Sequence, residues 1–410
     1  MDGGMVIVGA GEAGARAASA LRDNGFGGAI TLIGEEHHAP YERPPLSKAV
    51  MAAPGEPVLP VIADTARFDA IGVKHIRGSR AVAIARDAHR VRLADGTAVP
   101  YTRLLLALGA QPRRLSLPGG EAILYLRTFA EALALRERLR PGARIAVIGG
   151  GLIGLEIAAS AAASGCTVTV IEAAPRILMR GVPAELAEVI AARHRAAGVT
   201  ILTGVGIAGI ERAGDGSLAV VLVSGERIPA DGIMAGIGAA PETGLAAAAG
   251  LAVDNGIAAD ERLRTSDPDI FAAGDCCSFP HALYGGRRIR LEAWRNAQDH
   301  GSFVARSMLD QGEAYAALPW FWSDQYDLHL QIAGLVDEGR ASVTRDMGDA
   351  GRIIFHLAAD GRLVAASGVG PIGGIARDLK LAEMLIARRA MPDPKLLASP
   401  ATKLKGLLAA

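Results

Sequence analysis

Cysteine is scarce in this chain, and the scarcity excludes two classes of protein. Three cysteines occur among 410 residues, Cys166, Cys276 and Cys277, and no two of them are spaced as C-x-x-C. So few cysteines cannot form the disulfide framework of a small secreted domain, and the spacing typical of zinc and dithiol sites is missing. We therefore expect a cytoplasmic protein.

Unbalanced charge and long apolar runs are missing as well. Lys and Arg together number 43, as do Asp and Glu, so the formal net charge is +0. Charge alone therefore favours neither a nucleic acid nor a membrane surface as a partner. A membrane-spanning helix needs a run of about 18 apolar residues, and the sequence contains no such run. The first apolar run also lacks the basic flank of a signal peptide.

Aromatic side chains are few, at 4% of the residues, although 50% of the chain is hydrophobic. The apolar fraction therefore consists mainly of small and aliphatic side chains, which suit tightly packed layers of helices on sheets. At 410 residues the chain should contain two or three domains.

Two glycine-rich stretches each follow a short apolar run, at residues 5–8 and 145–148, and each precedes a small-residue helix. Both fit G-x-G-x-x-G between a strand and a helix, the pattern of dinucleotide-binding units. The first glycine makes a tight turn, the second lets backbone approach a pyrophosphate, and the third lets helix pack on strand. The glycines are Gly9, Gly11 and Gly14 in the first copy and Gly149, Gly151 and Gly154 in the second, where Leu152 and Ile153 fill the variable positions.

An acidic residue ends the strand predicted after each glycine-rich stretch, at residues 29–35 and 167–172. Glu35 lies 26 residues after Gly9, and Glu172 lies 23 residues after Gly149. This spacing predicts carboxylates that bind ribose hydroxyls, with Glu36 as the alternative to Glu35. Because a carboxylate repels the 2′-phosphate of NADP, the second unit favours NAD. Arg176 and Arg180 lie slightly downstream, and we expect them to contact the pyrophosphate or solvent.

Proline stiffens the segment Pro40-Tyr41-Glu42-Arg43-Pro44-Pro45-Leu46-Ser47-Lys48, and a helix should begin near Leu46. The segment either holds Arg43 and Lys48 in fixed positions or is an ordinary surface turn with solvated cations. Asp275 ends an apolar strand at a tight turn and is either a helix N-cap or an acceptor for a polyol. Another strand enters a glycine-rich loop that ends at Gly238.

The pattern changes from Leu318 onward, which predicts a separate C-terminal domain of about 90 residues. Two of the three tryptophans lie near its start, Trp320 and Trp322. Further expectations are a hairpin over residues 79–99, a separate strand at 101–108, helices at 131–140 and 295–309, a turn at Gly214-Asp215-Gly216, and C-terminal strands at 329–333, 341–345, 352–357 and 363–368 with two short helical segments.

Three motifs together resemble a known family. They are residues 40–48, Ile148-Gly149-Gly150-Gly151-Leu152-Ile153-Gly154-Leu155-Glu156, and Phe321-Trp322-Ser323-Asp324-Gln325-Tyr326. From Val6 to about Leu407 the chain resembles the FAD-dependent, NADH-oxidising ferredoxin reductases of bacterial oxygenase systems. The resemblance implies an α/β, glutathione-reductase-like fold: an FAD-binding domain of residues 1–111 and 243–317, an NAD-binding domain of residues 112–242, both three-layered and Rossmann-like, and a C-terminal α+β domain of residues 318–410.

The resemblance also implies residues that bind FAD. They comprise the first glycine-rich turn, a ribose acid, cations beside the flavin, a backbone contact to adenine, a residue near the pyrophosphate, a ribityl ligand and aromatic side chains at the ring: Gly9, Gly11, Ala13, Gly14, Glu35, Arg43, Lys48, Val82, Arg127, Asp275, Trp294 and Trp322. Gly109 follows Leu108, where the family usually has threonine, and the missing hydroxyl would loosen FAD slightly.

The second glycine-rich unit would hold NADH, with Gly149, Glu172, Arg180 and Gly238 around the dinucleotide. In the resemblance Glu156 pairs with Lys48 across the nicotinamide pocket, and Trp322 covers the flavin edge where the acceptor docks. The implied reaction passes electrons from NADH through FAD to a small iron–sulfur protein, most simply a [2Fe–2S] ferredoxin that serves a terminal oxygenase. The enzyme would be a monomer or a weak homodimer.

Three alternatives remain open. Rubredoxin could replace ferredoxin as the acceptor, and the basic residues with which some relatives dock an acidic ferredoxin do not transfer cleanly to this chain. A disulfide-type reductase or NADH oxidase would need a cysteine near the flavin, and residues 34–53 contain none. A non-enzymatic flavoprotein similar to apoptosis-inducing factor usually carries targeting or basic features, which the neutral charge opposes.

Overall fold

The structure, a computed structural model, describes residues 3–214 and 216–408. These residues divide into two compact units. Unit 1 contains residues 3–43, 59–111 and 239–317, and unit 2 contains residues 44–58, 112–238 and 318–408. The resemblance places residues 44–58 in the FAD-binding domain, whereas they cluster with unit 2.

The strands, numbered in chain order, are β1 Gly4–Val8, β2 Ile30–Ile33, β3 Val73–Ile76, β4 Ala81–Ala85, β5 Arg90–Leu93, β6 Ala98–Leu106, β7 Ala110–Pro112, β8 Arg144–Ile148, β9 Thr167–Glu172, β10 Thr200–Thr203, β11 Ile207–Arg212, β12 Leu218–Leu222, β13 Arg227–Ala230, β14 Gly232–Ala235, β15 Ala239–Pro241, β16 Ile257–Ala258, β17 Ile270–Ala272, β18 Cys277–His281, β19 Arg287–Ile289, β20 Trp320–Gln325, β21 Leu328–Gly334, β22 Ala341–Asp346, β23 Arg352–Leu357 and β24 Leu363–Pro371. The α-helices are α1 Glu12–Asp23, α2 Ala49–Ala52, α3 Thr65–Ala70, α4 Phe129–Arg136, α5 Leu152–Ala163, α6 Ala184–Ala196, α7 Gly244–Ala248, α8 Trp294–Ser307, α9 Ala376–Ala387 and α10 Pro394–Ala398.

Unit 1 is built on a mixed sheet of strand order β3-β2-β1-β6-β5-β4, with β17 paired to β6. The strands β3, β2, β1, β6 and β17 pair in parallel, and their carboxyl ends therefore lie at one edge. The last strand of the expected hairpin and the expected strand at 101–108 form one continuous strand, β6. Its start pairs with β5, and its later residues pair with β1.

Helix α1 packs on α8 at short range because both helices carry small residues. A Cβ added to Gly301 of α8 would lie 2.5 Å from the carbonyl oxygen of Ala13 in α1. Ala17 and Ala18 of α1 are fully buried. The small residues of α1 therefore allow the two helices to pack closely. This packing fixes α1, whose N-terminus lies at the end of β1.

In unit 2 the parallel strands follow the order β10-β9-β8-β14, beside an antiparallel meander β11-β12-β13. The strand predicted at residues 167–172 coincides with β9. Asp215, at the centre of the predicted turn between β11 and β12, lies outside the described residues. Helix α4 begins earlier than expected because Thr128 and Glu131 form a capping box, in which each side chain accepts a hydrogen bond from the other residue's backbone N–H.

The C-terminal part of unit 2 is an antiparallel sheet of order β20-β21-β24-β23-β22 covered by α9. Phe355 and Leu363 of the sheet pack with Leu379 and Leu385 of α9 in one buried cluster. Strand β20 is an addition to the strands expected from the sequence. The helix expected near Leu46 is a 3-10 turn at Pro44–Ser47, followed by the short α2.

Within the part of the chain that the structure describes, no helix is both long enough and apolar enough to cross a bilayer.

Candidate functional site

The first glycine-rich turn forms a cradle at the carboxyl end of β1. Gly9 has a φ of +110°, which disfavours other residues, and a Cβ at this position would overlap the carbonyl oxygen of Ala107. A Cβ at Gly14 would overlap the carbonyl oxygen of Gly9, so the strand and helix touch there. Gly11, the N-cap of α1, has no protein atom within 4 Å of such a Cβ. Space therefore remains only beside the second glycine, as a pyrophosphate at a helix N-terminus requires.

The two acids after β2 differ in their surroundings. The carboxylate of Glu36 accepts hydrogen bonds from the Tyr41 hydroxyl at 2.6 Å and from Arg43 Nη2 at 3.0 Å. The Glu35 side chain is 66% exposed, and its carboxylate lies 3.9 Å from the Arg80 guanidinium. Of the two acids, Glu35 is thus the one free to turn toward a ribose. Arg43 is held by Glu36, and its role beside a flavin stays a prediction.

Val82 lies at a break in the β4–β5 ladder. Ala81 is opposite Leu93 and Ala83 is opposite Arg92, so Val82 is the extra residue of a bulge. Its side chain is 48% exposed. A bulged residue leaves its backbone groups outside the ladder. The geometry therefore suits the backbone contact to adenine that the resemblance implies.

Asp275 lies inside a short 3-10 helix, Gly274–Cys276, for which Ala273 is the N-cap. The N-cap interpretation of Asp275 is therefore wrong, and the polyol interpretation stays a prediction. A hydrogen bond fixes this turn to α8, because the Gly274 backbone N–H donates to His300 Nδ1 at 3.1 Å. His300 is fully buried, which lowers the pKa of its imidazole to about 3 and keeps it a neutral acceptor. The sequence offered no signal for His300.

Two other predicted FAD ligands lie in unit 1. Trp294 is the first residue of α8, where the expected helix began one residue later. Gly109 follows β6 with a φ of +72°, and its carbonyl oxygen accepts a hydrogen bond from the Glu242 backbone at 3.0 Å. Gly109 follows the carboxyl end of β6, which pairs in parallel with β1 and β17, and open α/β sheets bind ligands at this edge. Trp294 instead follows β19, which pairs antiparallel with β18.

The second glycine-rich turn repeats the first within unit 2. A Cβ at Gly149 would lie 2.6 Å from the Gly236 carbonyl oxygen, and one at Gly154 would overlap the Gly149 carbonyl oxygen. At Gly151 the nearest protein atom would be 3.6 Å away, an ordinary contact distance. The second glycine again borders open space, and Ile153 in the first turn of α5 is 45% exposed. The cradle therefore fits a second dinucleotide.

Glu172 is fixed beside this cradle. Its two carboxylate oxygens accept hydrogen bonds from the backbone N–H groups of Gly150 and Ala174, each at 2.7 Å. This arrangement holds a negative charge at the end of β9. Such a charge would repel a 2′-phosphate, and the preference for NAD that the sequence predicts from Glu172 stays a prediction.

Arg176 does not meet either expectation from the sequence. Its guanidinium donates to the backbone carbonyls of Ile177, Leu178 and Val182, each at 3.0 Å, so it stabilises its own loop. Arg180 is exposed, and its Nη2 would lie 3.8 Å from a Cβ at Gly238. Of the two arginines, Arg180 thus lies where a dinucleotide could be contacted.

Arg127 directly precedes Thr128, the N-cap of α4 in unit 2. Its backbone N–H donates to the Glu131 carboxylate at 2.8 Å, which fixes the start of the helix. The predicted contact of its side chain with the pyrophosphate stays a prediction.

The Lys48–Glu156 pair, which the resemblance implies, lies within unit 2. Lys48 Nζ is 2.7 Å from Glu156 Oε2, and the two side chains are 25% and 4% exposed. The Ser47 hydroxyl donates to the same oxygen, and the Ser323 hydroxyl donates to Oε1 at 2.6 Å. The sequence does not mark Ser47 or Ser323 as a site residue, although both lie in motifs that carry the family resemblance. Together these groups hold one buried carboxylate and one partly exposed cation in fixed positions.

Strand β20 carries different side chains on its two faces because residues alternate along a strand. Ser323 and Gln325 are buried, while Trp322 and Asp324 lie on the other face. The Trp322 indole stacks on Trp320 with a centroid distance of 5.3 Å, and its Nε1 donates to Asp324 at 3.0 Å. Burial alone would raise the pKa of Asp324, but hydrogen bonds from His329 and Trp322 and the positive charges of His329 and Lys48 hold it below its usual value.

The cysteines do not form a redox pair. All three are free thiols, and Cys276 and Cys277 are fully buried. Burial raises the pKa of the Cys276 thiol to about 11 and that of Cys277 well above its usual value. A reactive cysteine instead needs a lowered pKa and access to solvent. The two thiols are therefore packing residues.

The structure brings the predicted residues together in two groups. Unit 1 holds Gly9, Gly11, Ala13, Gly14, Glu35, Arg43, Val82, Gly109, Asp275 and Trp294, and unit 2 holds Lys48, Arg127, Gly149, Gly151, Leu152, Ile153, Gly154, Glu156, Glu172, Arg180, Gly238 and Trp322. Arg43 and Lys48, close in sequence, fall in different units.

Comparison with known proteins covers nearly the whole chain. Residues 4–301 match the family described as pyridine nucleotide-disulphide oxidoreductase, and residues 320–408 match the family described as reductase C-terminal. The ferredoxin--NAD(+) reductase component of the anthranilate 1,2-dioxygenase system of Burkholderia cepacia is 43% identical over 98% of this chain and 99% of its own length. Putidaredoxin reductase of Pseudomonas putida is 37% identical over 99% of this chain and 97% of its own.

Solved structures agree with these relatives. The putidaredoxin reductase in a covalent complex with putidaredoxin superposes with a TM-score of 0.93 at 36% identity, covering 99% of this chain and 98% of that one. The ferredoxin reductase of the CYP199A2 system from Rhodopseudomonas palustris gives a TM-score of 0.93 at 37% identity over 98% of both chains. The expected α/β architecture with a C-terminal domain is thereby confirmed.

Proposed function

Because this chain belongs to the pyridine nucleotide-disulphide oxidoreductase family, we propose that it is an FAD-dependent NADH:ferredoxin reductase. It oxidises NADH and reduces a small iron–sulfur protein, a [2Fe–2S] ferredoxin, which in turn serves an oxygenase. The observation that carries the proposal is the match of both families, one after the other, in a chain that aligns over 98% of its length with a ferredoxin--NAD(+) reductase component.

Two cofactor cradles in one chain supply the structural basis. Gly11 and Gly151 each border open space between glycines whose own surroundings are filled by backbone. The first cradle would hold FAD, with Glu35 at its ribose and Asp275 at its ribityl chain, and the second would hold NADH, with Glu172 at the adenosine ribose. Bound FAD supplies the chemistry that connects a two-electron hydride donor with a one-electron acceptor.

The residues of this chain orient the reactants rather than donate or remove protons. The Glu156 carboxylate fixes the Lys48 ammonium at 2.7 Å, and the cation stabilises negative charge in its vicinity. Trp322, fixed by Asp324 and Trp320, presents an aromatic face for the exit of electrons to the acceptor. We also assign the protein to the cytoplasm, which its three free thiols support.

The test is anaerobic stopped-flow spectroscopy of the purified, FAD-loaded protein. We expect rapid bleaching of the flavin by NADH, slow bleaching by NADPH, and rapid reduction of an added [2Fe–2S] ferredoxin. Rubredoxin is tested in parallel, since a rubredoxin-NAD(+) reductase of Pseudomonas putida is 39% identical over 82% of this chain and 87% of its own length. If NADH bleaches the flavin but reduces neither iron–sulfur acceptor, the assignment as an electron-transfer reductase is wrong.

A further inference from the structure

A chain of hydrogen bonds runs through unit 2 from Glu156 to the turn between β20 and β21. Ser323 Oγ lies 2.6 Å from Glu156 Oε1, and Gln325 Nε2 lies 3.1 Å from Ser323 Oγ. His194 Nε2 is 2.8 Å from Gln325 Oε1, and the Tyr326 hydroxyl is 3.2 Å from His194 Nδ1. The chain thus connects Glu156 in α5 with His194 in α6 through side chains of β20.

The chain is buried along most of its length. The exposed fractions are 4% for Glu156, 1% for Ser323, 3% for Gln325 and 0% for His194. Buried polar groups are costly unless they are hydrogen-bonded, so each member depends on its neighbours. A substitution at any point therefore leaves a neighbouring buried group without its partner.

The direction of the hydrogen bonds is set by the carboxylate. Ionised Glu156 only accepts, so the Ser323 hydroxyl donates to it and in turn accepts from the Gln325 amide N–H. The Gln325 carbonyl oxygen then accepts from His194 Nε2–H, which leaves Nδ1 to accept from Tyr326. Every donor thus points toward Glu156, an arrangement in which the bonds polarise and strengthen one another.

This chain is not a path for protons. A proton relay needs groups that both accept and release a proton, and the Gln325 amide at its centre does neither at neutral pH. Burial, together with the nearby charge of Arg193, also lowers the pKa of His194, although the bond to Gln325 opposes the shift. The histidine is therefore neutral, and its contribution is to fix positions.

The far end of the chain is anchored to α6. The Arg193 guanidinium lies 4.3 Å from the centroid of the Tyr326 ring and forms an ion pair with Asp327 at 2.5 Å. Tyr326 has a φ of +58°, the left-handed conformation found in tight turns. Helix α6 thus holds the turn after β20, and this turn directly follows Gln325.

We propose that His194 is a positioning residue for Glu156. Acting through Gln325 and Ser323, it fixes the orientation of the carboxylate that holds Lys48, and so sets the alignment of NADH for hydride transfer. The inference rests on the proposed function and on the resemblance, which implies that the Lys48–Glu156 pair borders the nicotinamide. It adds to that function a residue that no sequence motif identified.

The first test compares the same substitution at two buried histidines of unit 2. His194→Leu breaks the chain, whereas His356→Leu removes a histidine that is 7% exposed and bonds only Ser367 among the described residues, at 3.1 Å. In the holoprotein we expect His194→Leu to lower the rate constant for flavin reduction by NADH about 10- to 100-fold. The dissociation constant of NADH should change less than about threefold, because orientation rather than binding is lost. His356→Leu should leave both values near those of the wild type.

Two milder variants distinguish a loss of orientation from misfolding. His194→Gln carries an amide N–H that can replace the ring Nε2–H, and it should recover most of the rate. Tyr326→Phe removes only the terminal hydroxyl and should cause a smaller loss than His194→Leu. An equal loss in His194→Leu and His356→Leu, or a lack of recovery in His194→Gln, would overturn the proposal.

The second test does not depend on turnover. Nitrogen-15 NMR of the histidine rings, with His194 assigned from its absence in His194→Leu, should show the neutral Nε2–H form. Glu156→Gln should shift the His194 resonances and leave those of His356 in place, because only His194 is connected to Glu156. Unchanged His194 resonances would overturn the coupling. Neither test requires an iron–sulfur acceptor, so a failure to reduce ferredoxin would count against the proposed function alone.

Discussion

Lys48 Nζ lies 2.7 Å from Glu156 Oε2, and the carboxylate of this pair is far more deeply buried than its cation. The two residues come from distant parts of the chain, one after a proline-rich turn and the other in the first half of α5. Their contact places a positive charge whose position is fixed by a group that water scarcely reaches. Such a preorganised charge stabilises developing negative charge without any reorganisation.

Replacement of the cation should slow the reaction. We expect Lys48→Met to lower the rate constant for flavin reduction by NADH about 100-fold, because a preorganised charge near the reacting atoms is lost. Lys380→Met is the matched control, since Lys380 pairs with Glu383 at 2.9 Å on α9 and is 61% exposed. Anaerobic stopped-flow measures both. Equal rates in Lys48→Met and the wild type would remove Lys48 from the site.

The preference for NADH should depend on Glu172. In Glu172→Gln the negative charge at the end of β9 is lost while one backbone hydrogen bond can remain, so discrimination against NADPH should fall about 10-fold or more. The ratio of kcat/KM for NADH and NADPH measures this. Glu188→Gln is the control, because Glu188 is 67% exposed and pairs with Arg195 on α6. A ratio unaffected by Glu172→Gln would place cofactor choice elsewhere.

The second and third glycines of the first cradle should respond differently to alanine. Gly11→Ala meets no protein atom, so the fold should persist while FAD binding weakens about 10-fold or more, because the methyl group occupies space needed by the pyrophosphate. Gly14→Ala would overlap the Gly9 carbonyl and should destabilise unit 1 itself. Flavin content and thermal unfolding separate the two effects. Full flavin content in folded Gly11→Ala would contradict the assignment of the cradle.

Acid should destabilise the protein through His300. Burial is the main cause, and the charge of His281 the smaller one, that lowers the pKa of His300 from the ordinary 6.5 to about 3. As pH falls, the unfolded chain therefore binds this proton before the folded protein does. The contribution of His300 is complete above pH 6.5 and is lost progressively toward pH 3, at up to about 1.4 kcal/mol per pH unit.

Unfolding by denaturant at a series of pH values between pH 7 and about pH 4 measures this dependence, with the release of flavin as the signal for unfolding. His300→Gln should flatten the slope, since an amide oxygen can accept from the Gly274 N–H without titrating. A slope identical in His300→Gln and the wild type would show that other groups dominate.

Loss of the buried thiols should leave catalysis intact. Cys276→Ala with Cys277→Ala should retain the rate of flavin reduction within about twofold, because both thiols are fully buried with raised pKa values and are inert. In the native protein a maleimide should label Cys166 alone among the three, since it is partly exposed. A large loss of electron transfer in the double variant would favour a thiol-based reductase.

The sequence was most informative where a pattern has a single structural solution. Both glycine-rich turns lie between a parallel strand and a helix, as the spacing of Gly9, Gly11 and Gly14 required. Strand β9 was predicted without error, because it is a branched, apolar run between clear breaks. Boundaries shifted where local hydrogen bonding competes with periodicity, as at the Thr128 capping box, which starts α4 at Phe129.

Long-range contacts could not be predicted from the residues alone. Lys48 was recognised as a cation in a stiff segment, but its pairing with Glu156 came only from the resemblance. The roles of His300 and His194 have no local signal, since a buried histidine is defined by what packs around it in three dimensions. For Asp275 the residues alone allow both a helix N-cap and a polyol acceptor, because an aspartate at the turn after a strand fits either role, and the 3-10 turn that excludes the N-cap has no separate signal.

The path of the chain between the two units limits how such proteins can recombine. It crosses from one unit to the other five times, after Arg43, Val58, Gln111, Gly238 and Ala317. A single genetic crossover between two relatives would therefore join incompatible pieces of at least one unit. Chimaeras that exchange a whole unit must be spliced at every crossing, and the short segment 44–58, with its lysine, must be exchanged together with the rest of unit 2.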